Sequence, residues 1–269
     1  MGTQGLDANG RPRRWRQDVM GTVVSFAVAC GAGDERRAEE AVDRAQGELR
    51  RADDVFSTWK PDSPMSRLRR GELDLAEAPP EIGEVLALCR RLREASDGWF
   101  DPWSLPGGVD PTGLVKGWAV ERAMDELRSA DVRGAMINAG GDIAVIGRPA
   151  PGDAWRIGIR DPLRPDRLVL TVELAAGGAV ATSGAYEREE HVRTPDGSAR
   201  AGGILSATVL GLDLGVADAL ATALFASGGE LLPSLGRQPG YHGIIVDARG
   251  VPRPSDGLRT ALPHWWDAA

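Results

Sequence analysis

The sequence predicts an α+β fold, built as one domain from helices and strands that are intermixed along the chain. Amphipathic helix patterns occupy much of residues 35–130, and short strand patterns separated by Gly, Asp and Pro follow from 133 to 183. A doubly wound parallel sheet would require a strict strand–helix alternation. A dinucleotide-binding fold would also require a glycine-rich loop between a strand and a helix, and none is found. These observations favour α+β over a Rossmann-type fold.

The first half of the chain is predicted to contain one buried strand and three helices. Residues 19–29 (VMGTVVSFAVA) are apolar and β-branched, as is typical of a strand. Residues 35–53, 81–96 and 114–130 place apolar side chains at helical spacing, so each helix should bury one face. Residues 55–68 (VFSTWKPDSPMSRL) are predicted to form a short strand that runs into a loop and a turn.

The second half is predicted to be mostly strands. The strand segments are AMINAGG, DIAVIG, AWRIGIRDP, LVLTVEL and AVATSG between residues 133 and 184, ILSATVL at 204–210 and HGIIVDARG at 242–250. Residues 215–227 (GVADALATALFAS) are predicted to form a helix with small residues on several faces.

Composition and charge narrow the class of protein. The chain has 269 residues with a formal net charge of -7, which argues against a nucleic-acid partner held by general electrostatics. No run approaches the roughly 18 apolar residues of a membrane span. Residues 1–14 are expected to be a disordered tail and 15–269 a single domain. Because no apolar run follows the basic residues near the N-terminus, we expect a cytoplasmic protein, or an extracytoplasmic one if the sequence is trimmed.

Asp218 and Thr222 are the first candidates for chemistry. They are four residues apart, so on a helix they share one face. A carboxylate and a hydroxyl are hard oxygen donors of the kind that Mg²⁺ prefers, with phosphate and water completing its octahedron. The alternative is an ordinary acidic residue near a helix N-terminus, where the helix dipole favours it.

Two further segments could contact an anion or transfer a proton. In DPTGLVKGW, Lys116 and the free N–H groups of a helix start would form an anion site, unless the lysine is merely solvated. His191 lies in a polar, charged stretch, where it is either a solvated residue or a general base at neutral pH. The segment INAGGDIAVIG is either a plain hairpin turn or a place where a ligand meets bare backbone.

Aromatic residues in polar loops suggest a wall for a flat ring. Trp59 lies in FSTWKPDS, and Trp99 and Phe100 lie in DGWFDP. Isoalloxazine or adenine would need such aromatic surfaces. Core packing is the alternative for each of these side chains.

The order and spacing of these segments resemble the ApbE family of FAD:protein FMN transferases. The resemblance extends from Met20 to Gly228 and includes the family's K-G, G-G-D, T-S-G and D-A-x-A-T elements in order. The blocks that carry it are MGTVVSF, FSTWKPDSPMSRL, GWFDPWS, DPTGLVKGWAVERAMDEL, INAGGDIAVIG, WRIGIRDP, AVATSGAYER and ADALATALFASG.

The resemblance implies the ApbE-type α+β fold, a single domain in which mixed or antiparallel sheets pack with helices around a nucleotide cleft. FAD would lie in this cleft with its diphosphate on Mg²⁺. Asp218 and Thr222 match side-chain metal ligands, and Gly113 matches a backbone carbonyl ligand. His191 matches the histidine proposed to activate the acceptor hydroxyl, while Lys116 and Asp218 complete the expected catalytic set. The positions that match the FAD site are Met20, Trp59, Trp99, Phe100, Asp101, Asp110, Lys116, Val192 and Arg193.

The implied activity attaches FMN from FAD to a Thr or Ser of an acceptor flavoprotein, with release of AMP. Two alternatives stay open: an Mg²⁺-dependent FAD pyrophosphatase, and a non-catalytic FAD-binding protein. The sequence departs from the family at Trp59, where Tyr is common, and at Thr194, where Asp is frequent. The second departure touches the loop that should approach the acceptor.

Overall fold

The computed structural model describes residues 12–31, 33–104, 107–184 and 203–261. Every strand pair formed by these residues is antiparallel, and helices are interspersed with the strands along the chain. The α+β prediction is confirmed. Among the described helices, none has both the length and the apolar character needed to cross a bilayer.

The strands form one large sheet and one small one. They are β1 (Arg13–Val19), β2 (Thr22–Ala29), β3 (Gly134–Ala139), β4 (Asp142–Gly147), β5 (Trp155–Arg160), β6 (Leu168–Leu174), β7 (Gly177–Gly184), β8 (Ile204–Gly211), β9 (His242–Asp247) and β10 (Pro252–Pro254). The large sheet has the order β1-β2-β3-β4-β7-β8-β9-β10, and β5 pairs with β6. The separate hairpin is therefore an insertion between two neighbouring strands of the large sheet.

Six α-helices are described: α1 (Glu35–Phe56), α2 (Pro64–Arg69), α3 (Pro80–Ala95), α4 (Thr112–Ser129), α5 (Leu214–Ala226) and α6 (Asp256–Ala261). A short 3₁₀ helix also spans Pro233–Arg237. In α1 the buried residues Ala38, Val42, Ala45 and Leu49 recur every three or four positions. This spacing places them on one face, which packs into the main core. In α5 nearly every side chain is buried, so this helix lies inside the molecule.

The large sheet packs against other elements on both faces. Because successive side chains of a strand point to opposite faces, neighbouring residues of β2 enter different cores. Phe26 joins the core that contains the helices, whereas Ala27 joins a second cluster with residues of the β5–β6 hairpin, such as Ile157. Helices thus cover one face of the sheet, and the hairpin covers part of the other face, while side chains of the edge strand β1 stay exposed.

The contact between α4 and α5 depends on a glycine. A Cβ atom built on Gly117 would lie 2.5 Å from the carbonyl oxygen of Leu214 and 2.7 Å from the backbone nitrogen of Gly215. Real Cβ atoms do not approach backbone this closely, so only glycine lets α4 pass the first turn of α5 at this distance. The two helices that carry Lys116 and Asp218 are held together here.

The prediction of a strand within residues 55–68 is wrong. Helix α1 continues to Phe56, and a second helix, α2, begins at Pro64. The Ser63 hydroxyl accepts a hydrogen bond from the Ser66 N–H at 3.0 Å and caps this helix, and proline suits its first position. Val55 and Phe56 are apolar and resemble the start of a strand in sequence, but both are buried residues in the last turn of α1.

Further elements were not predicted. Strand β1 begins at Arg13, so Arg13 and Arg14 lie in the sheet and not in the expected tail; residues 1–11 lie outside the described part. In β1 the half-buried and exposed residues alternate, and the whole strand pairs with β2. The high arginine content of β1 obscures this alternation in the sequence. The short elements β10 and α6 were also missed.

Candidate active site

A cleft of about 780 Å³ opens beside α4 and α5. Its walls come from the β1–β2 turn, the end of α1, two loops, the first turns of α4, the β3–β4 turn, the end of β7 and α5. Its volume lies in the range of small-molecule sites. The residues that were predicted from sequence and line it are Met20, Trp59, Trp99, Phe100, Asp101, Asp110, Gly113, Lys116, Asp218 and Thr222.

The described residues do not include three of the predicted site residues. His191, Val192 and Arg193 belong to the segment 185–202, outside the described residues. Strand β7 ends at Gly184, which itself lines the cleft. The chain therefore enters that segment directly from the cleft wall.

Helix α5 carries a carboxylate and a hydroxyl into the cleft. Asp218 is 6% exposed and Thr222 follows it by one helical turn, and both line the cavity. The start of α5 is fixed from two sides, because Asp213 caps it through the Val216 N–H at 2.8 Å. The Glu121 carboxylate of α4 accepts a second hydrogen bond, from the Leu214 N–H at 2.9 Å. The backbone that presents Asp218 is thus held rigidly.

A second hydroxyl and a glycine lie close to Thr222 in the cleft. The Ser183 hydroxyl lies 3.4 Å from the Thr222 hydroxyl, at the end of β7. Gly113, in the first turn of α4, is close enough that a Cβ built on it would lie 3.9 Å from Thr222 Oγ1 and 3.4 Å from Phe100 Cε2. A side chain at this position would enter the space between helix and aromatic ring. Glycine keeps the backbone of α4 open to the cleft.

These oxygen atoms can hold a magnesium ion only if a bound ligand provides further oxygens to the ion. Within the described residues no three His, Cys, Asp or Glu side chains come together as a metal site. One carboxylate and two hydroxyls provide hard oxygens, but too little negative charge and too few ligands for a cage made of protein alone. Mg²⁺ is typically held by one or two carboxylates plus phosphate oxygens and water. The site therefore suits a cation that arrives with a phosphate-containing molecule.

Lys116 provides positive charge beside these oxygens. Its ammonium pairs with Asp142 Oδ2 and lies 3.9 Å from Asp218 Oδ2. Asp142 is 2% exposed, and its other oxygen accepts the Thr182 N–H at 3.0 Å. Sequence reasoning did not assign Asp142 a role, although the G-G-D element that precedes β4 pointed to this position.

The G-G-D element is a hairpin turn that also reaches the cleft. Ala139 pairs with Asp142, so Gly140 and Gly141 form the two-residue turn, with φ values of 65° and 108°. The Asn138 side chain accepts the Gly141 N–H at 2.9 Å. The hairpin-turn interpretation is confirmed, and because Gly140 also lines the cleft, contact of a ligand with this backbone stays a prediction.

The β1–β2 turn has similar geometry but a bulkier residue. Val19 pairs with Thr22, and Met20 and Gly21 between them have φ values of 53° and 68°. A non-glycine residue adopts this left-handed region at a cost, and such residues concentrate at functional sites. Both turn residues line the cleft.

The aromatic side of the cleft combines buried and exposed rings. Phe100 is buried, Trp99 packs partly against the core and Trp59 is 82% exposed. An exposed tryptophan at a cavity mouth offers a large apolar surface for a flat ring. This arrangement separates an aromatic region from the region of oxygens and Lys116.

The acidic residues of the loops are held by arginines. Asp101 accepts from Arg93 Nε at 2.8 Å, and Asp110 accepts from Arg69 Nη1 at 3.3 Å. Asp110 also accepts the Thr112 N–H at 3.1 Å, which fixes the entry into α4. These carboxylates are oriented by neighbours before any ligand binds.

A second lysine lies in the cleft and was not predicted. Hydrogen bonds from its ammonium to Asp53, at 2.5 Å, and to Asp54, at 2.7 Å, raise the pKa of Lys60. The sequence contains two lysines, Lys60 and Lys116, and both line the cleft.

Comparison with known proteins agrees with this architecture. The family model described as "ApbE family" matches residues 20–106 and 104–245. A curated relative from Rhodobacter capsulatus, named FAD:protein FMN transferase, is 34% identical over 149 residues, which are 51% of this chain and 27% of the relative. One of the same name from Vibrio cholerae is 34% identical over 131 residues, which are 45% of this chain and 39% of the relative. The chain thus spans less than half the length of either.

Solved structures match over most of the chain. The ApbE protein of Thermotoga maritima matches with a TM-score of 0.80 at 25% sequence identity. The match covers 93% of this chain and 98% of the Thermotoga chain. The flavin transferase ApbE of Vibrio cholerae has a TM-score of 0.75 at 22% identity, with 93% and 99% covered. The family model matches most of the chain, and the solved structures share its fold. The chain therefore belongs to the ApbE family.

Proposed function

We propose that this protein is a magnesium-dependent flavin transferase, which moves the FMN part of FAD to a Thr or Ser hydroxyl of an acceptor flavoprotein. The observation that carries the proposal is the cleft in which Asp218, Thr222, Gly113 and Lys116 meet below an aromatic wall. The names of the curated relatives support the same activity. The net charge of -7 favours a small-molecule and protein substrate over nucleic acid.

FAD is proposed to lie along the cleft. Its flat ring would contact the aromatic region, where Trp59 and Trp99 provide apolar surface. Its diphosphate would then lie at the end that holds Lys116 and the hydroxyl groups. In this orientation the apolar ring of FAD faces the apolar part of the cleft, and the charged diphosphate faces the charged part.

Asp218, Thr222 and the Gly113 carbonyl would hold the cation. When bound, Mg²⁺ supplies charge neutralisation to the diphosphate and polarises the phosphorus under attack. Lys116 adds a second positive charge next to the phosphate oxygens. Phosphoryl transfer depends mainly on positioning and charge, and these residues provide both.

The transfer exchanges one bond at phosphorus for another. The acceptor oxygen forms a bond to the FMN phosphorus, and the bond from that phosphorus to the AMP oxygen breaks. The proton of the acceptor hydroxyl passes to a base, and AMP leaves with the electron pair of the broken bond. We assign the base to His191, which follows the cleft-lining end of β7 in sequence.

His191→Ala tests this assignment. We expect transfer to slow by about 10²–10⁴-fold, as for loss of a general base, while FAD binding changes little. Stopped-time assays of acceptor labelling and a fluorescence titration of FAD would measure the two effects separately. Full activity of the variant would show that another group accepts the proton.

The activity itself is tested by product analysis. The protein is incubated with FAD and Mg²⁺, with and without a candidate acceptor domain that exposes Thr or Ser. Transfer predicts AMP release together with an acceptor that carries covalent FMN by mass spectrometry and fluoresces in a denaturing gel. FMN and AMP without any acceptor would instead identify a pyrophosphatase, and FAD binding without AMP would identify a binding protein.

A further inference from the structure

We propose that Asp142 is a positioning residue that holds the Lys116 ammonium away from Asp218, so that the ammonium does not compete with a divalent cation for the Asp218 carboxylate. The proposal rests on the proposed function, because it assigns a cation to Asp218. It adds a residue that does not itself line the cleft and acts only through Lys116.

The surroundings of Asp142 explain how it can hold a lysine. It is the first residue of β4 and is 2% exposed. One of its oxygens accepts the Thr182 N–H of β7, and the other pairs with the Lys116 ammonium of α4. A buried carboxylate is costly unless it is paired and hydrogen-bonded. Lys116 is therefore bound to a carboxylate whose own orientation is fixed by the sheet.

Asp218 competes for the same ammonium. Its Oδ2 lies 3.9 Å from Lys116 Nζ, which is about 1 Å beyond hydrogen-bond distance. A lysine side chain is flexible and has three rotatable donors, so a small movement would close this gap. An ammonium bound directly to Asp218 would occupy the carboxylate and repel a cation. The pair with Asp142 opposes that movement.

A purely structural role for Asp142 makes a different prediction. If Asp142 only joined β4 to β7, its loss would disturb the site whether or not Lys116 were present. If it acts through Lys116, its effect on the cation must vanish once the ammonium is removed. A double-mutant cycle distinguishes the two cases.

The substitution Asp142→Asn removes the charge and keeps an oxygen for the Thr182 N–H. Mn²⁺ is used as the probe, and its binding is measured by electron paramagnetic resonance in the presence of saturating FAD and without acceptor. We expect the Kd for Mn²⁺ to rise about 10-fold or more, as for loss of other groups that orient a metal ligand. In a Lys116→Gln background, Asp142→Asn should change the Kd less than about twofold.

Asp161→Asn is the matched control. Asp161 is also a buried carboxylate, at 6% exposure, and accepts the Leu163 N–H at 2.9 Å, but it follows β5 and does not line the cleft. Its substitution should leave the Kd for Mn²⁺ unchanged. Thermal unfolding of every variant shows whether a change in the Kd accompanies a change in fold.

Lys116→Gln alone provides a second measurement if Asp142→Asn does not fold. Because the proposal makes the ammonium a competitor of the cation, this variant should bind Mn²⁺ at least as tightly as the wild type at saturating FAD. A 10-fold weaker binding would overturn the proposal.

The remaining outcomes separate the two proposals. Unchanged Mn²⁺ binding by Asp142→Asn, or an equal loss in both Lys116 backgrounds, would overturn the role of Asp142 and leave the transferase proposal intact. A wild-type protein that binds no Mn²⁺ with FAD would overturn both.

Discussion

Asp218 and Thr222 offer the same kind of atom but not the same charge. Asp218 brings a buried carboxylate, whereas Thr222 brings a neutral hydroxyl next to that of Ser183. In the proposed cation site, the carboxylate would neutralise part of the cation's charge, whereas the hydroxyl would only complete its coordination. The two residues should therefore fail in different ways when they are substituted.

Asp218→Asn should abolish metal-dependent turnover, with a loss of roughly 10²-fold or more in AMP release. Thr222→Val should act more weakly and mainly raise the Mg²⁺ concentration that gives half-maximal rate. Thr222→Ser keeps the hydroxyl and is the matched control. Rates measured over a series of Mg²⁺ concentrations compare the three variants, and an Asp218→Asn enzyme of normal activity would contradict the proposed cation site.

Glu121 links stability to pH at the start of α5. Burial, with a smaller contribution from the charge of Asp213, raises the pKa of Glu121 above its ordinary value of 4.5, although the Leu214 N–H lowers it. The folded state therefore binds this proton more tightly than the unfolded state. Its contribution to stability is present below pH 4.5 and is lost as the pH rises through the folded pKa.

Glu121→Gln cannot ionise and should not show this loss. The variant's free energy of unfolding, relative to the wild type, should be higher at pH 7 than at pH 4, because only the wild type pays for a buried charge at pH 7. Urea denaturation at both pH values measures the difference. An identical difference at the two pH values would show that Glu121 titrates normally.

The sequence could place two residues at one site where they are close together in the chain. Asp218 and Thr222 could be paired because they are one helical turn apart. The role of Asp142 could not be inferred, because tertiary structure brings its partner Lys116 to it from another element. Lys60 pairs with Asp53 and Asp54, seven and six residues earlier, but its position in the cleft depends on the tertiary structure. The roles of the residues in the cleft stay predictions until variants are measured.

At the scale of elements, the contact of α4 with α5 sets the geometry of the cleft. Lys116 and Gly113 are on one helix, and Asp218 and Thr222 are on the other. Gly117 allows the two backbones to approach. Any increase in their separation would move the ammonium relative to the carboxylate.

Gly117→Ala should destabilise the fold by about 1–3 kcal/mol, as is typical of overpacking. The added methyl would collide with backbone of α5, which cannot rotate away as a side chain can. Gly83→Ala in α3 is the control, because no atom lies within 4 Å of the added Cβ, and it should stabilise by about 0.4–1 kcal/mol. Chemical denaturation of both variants tests whether the two effects have opposite signs.

The elements that were not predicted are those whose local residue pattern differs from the pattern typical of the structure they adopt. The strand predicted within residues 55–68 consists of the end of α1 and the capped helix α2. The Pro-after-Ser signal for α2 was present at 63–64, but the apolar residues before it resembled a strand. Strand β1 is polar because it lies at the sheet edge, where only half its side chains need burial.

At the scale of the molecule, the cleft joins parts of the chain that are far apart in sequence. Met20 lies near one end of the described chain and Thr222 near the other, and both line the same cavity. A ligand in the cleft therefore contacts segments that must all be folded at once. Its binding energy should appear as stability of the whole structure.

FAD with Mg²⁺ should raise the melting temperature, by an amount equivalent to about 2.7 kcal/mol at a ligand concentration 100 times the Kd. FAD with a chelator should raise it much less, because the chelator removes the cation that is proposed to join the diphosphate to Asp218. Differential scanning calorimetry measures both shifts. Equal shifts with and without the chelator would separate FAD binding from the cation.

The overall class was predictable, whereas the arrangement was not. Intermixed helices and strands without a Rossmann loop were sufficient for α+β. The strand order and the position of the β5–β6 hairpin on the second face depend on contacts between distant segments. Neither periodicity nor turn residues report which strands become neighbours across such distances.

The confinement of both lysines to the cleft has a practical consequence. All other basic side chains are arginine or histidine, so an acylating reagent selective for primary amines finds its targets at Lys60, Lys116 and the α-amino group of the chain. Peptide mapping after such labelling therefore reports on the cleft, with almost no background from the outer surface. A ligand bound in the cleft would reduce the labelling of these lysines, and the ligand itself would need no spectroscopic tag.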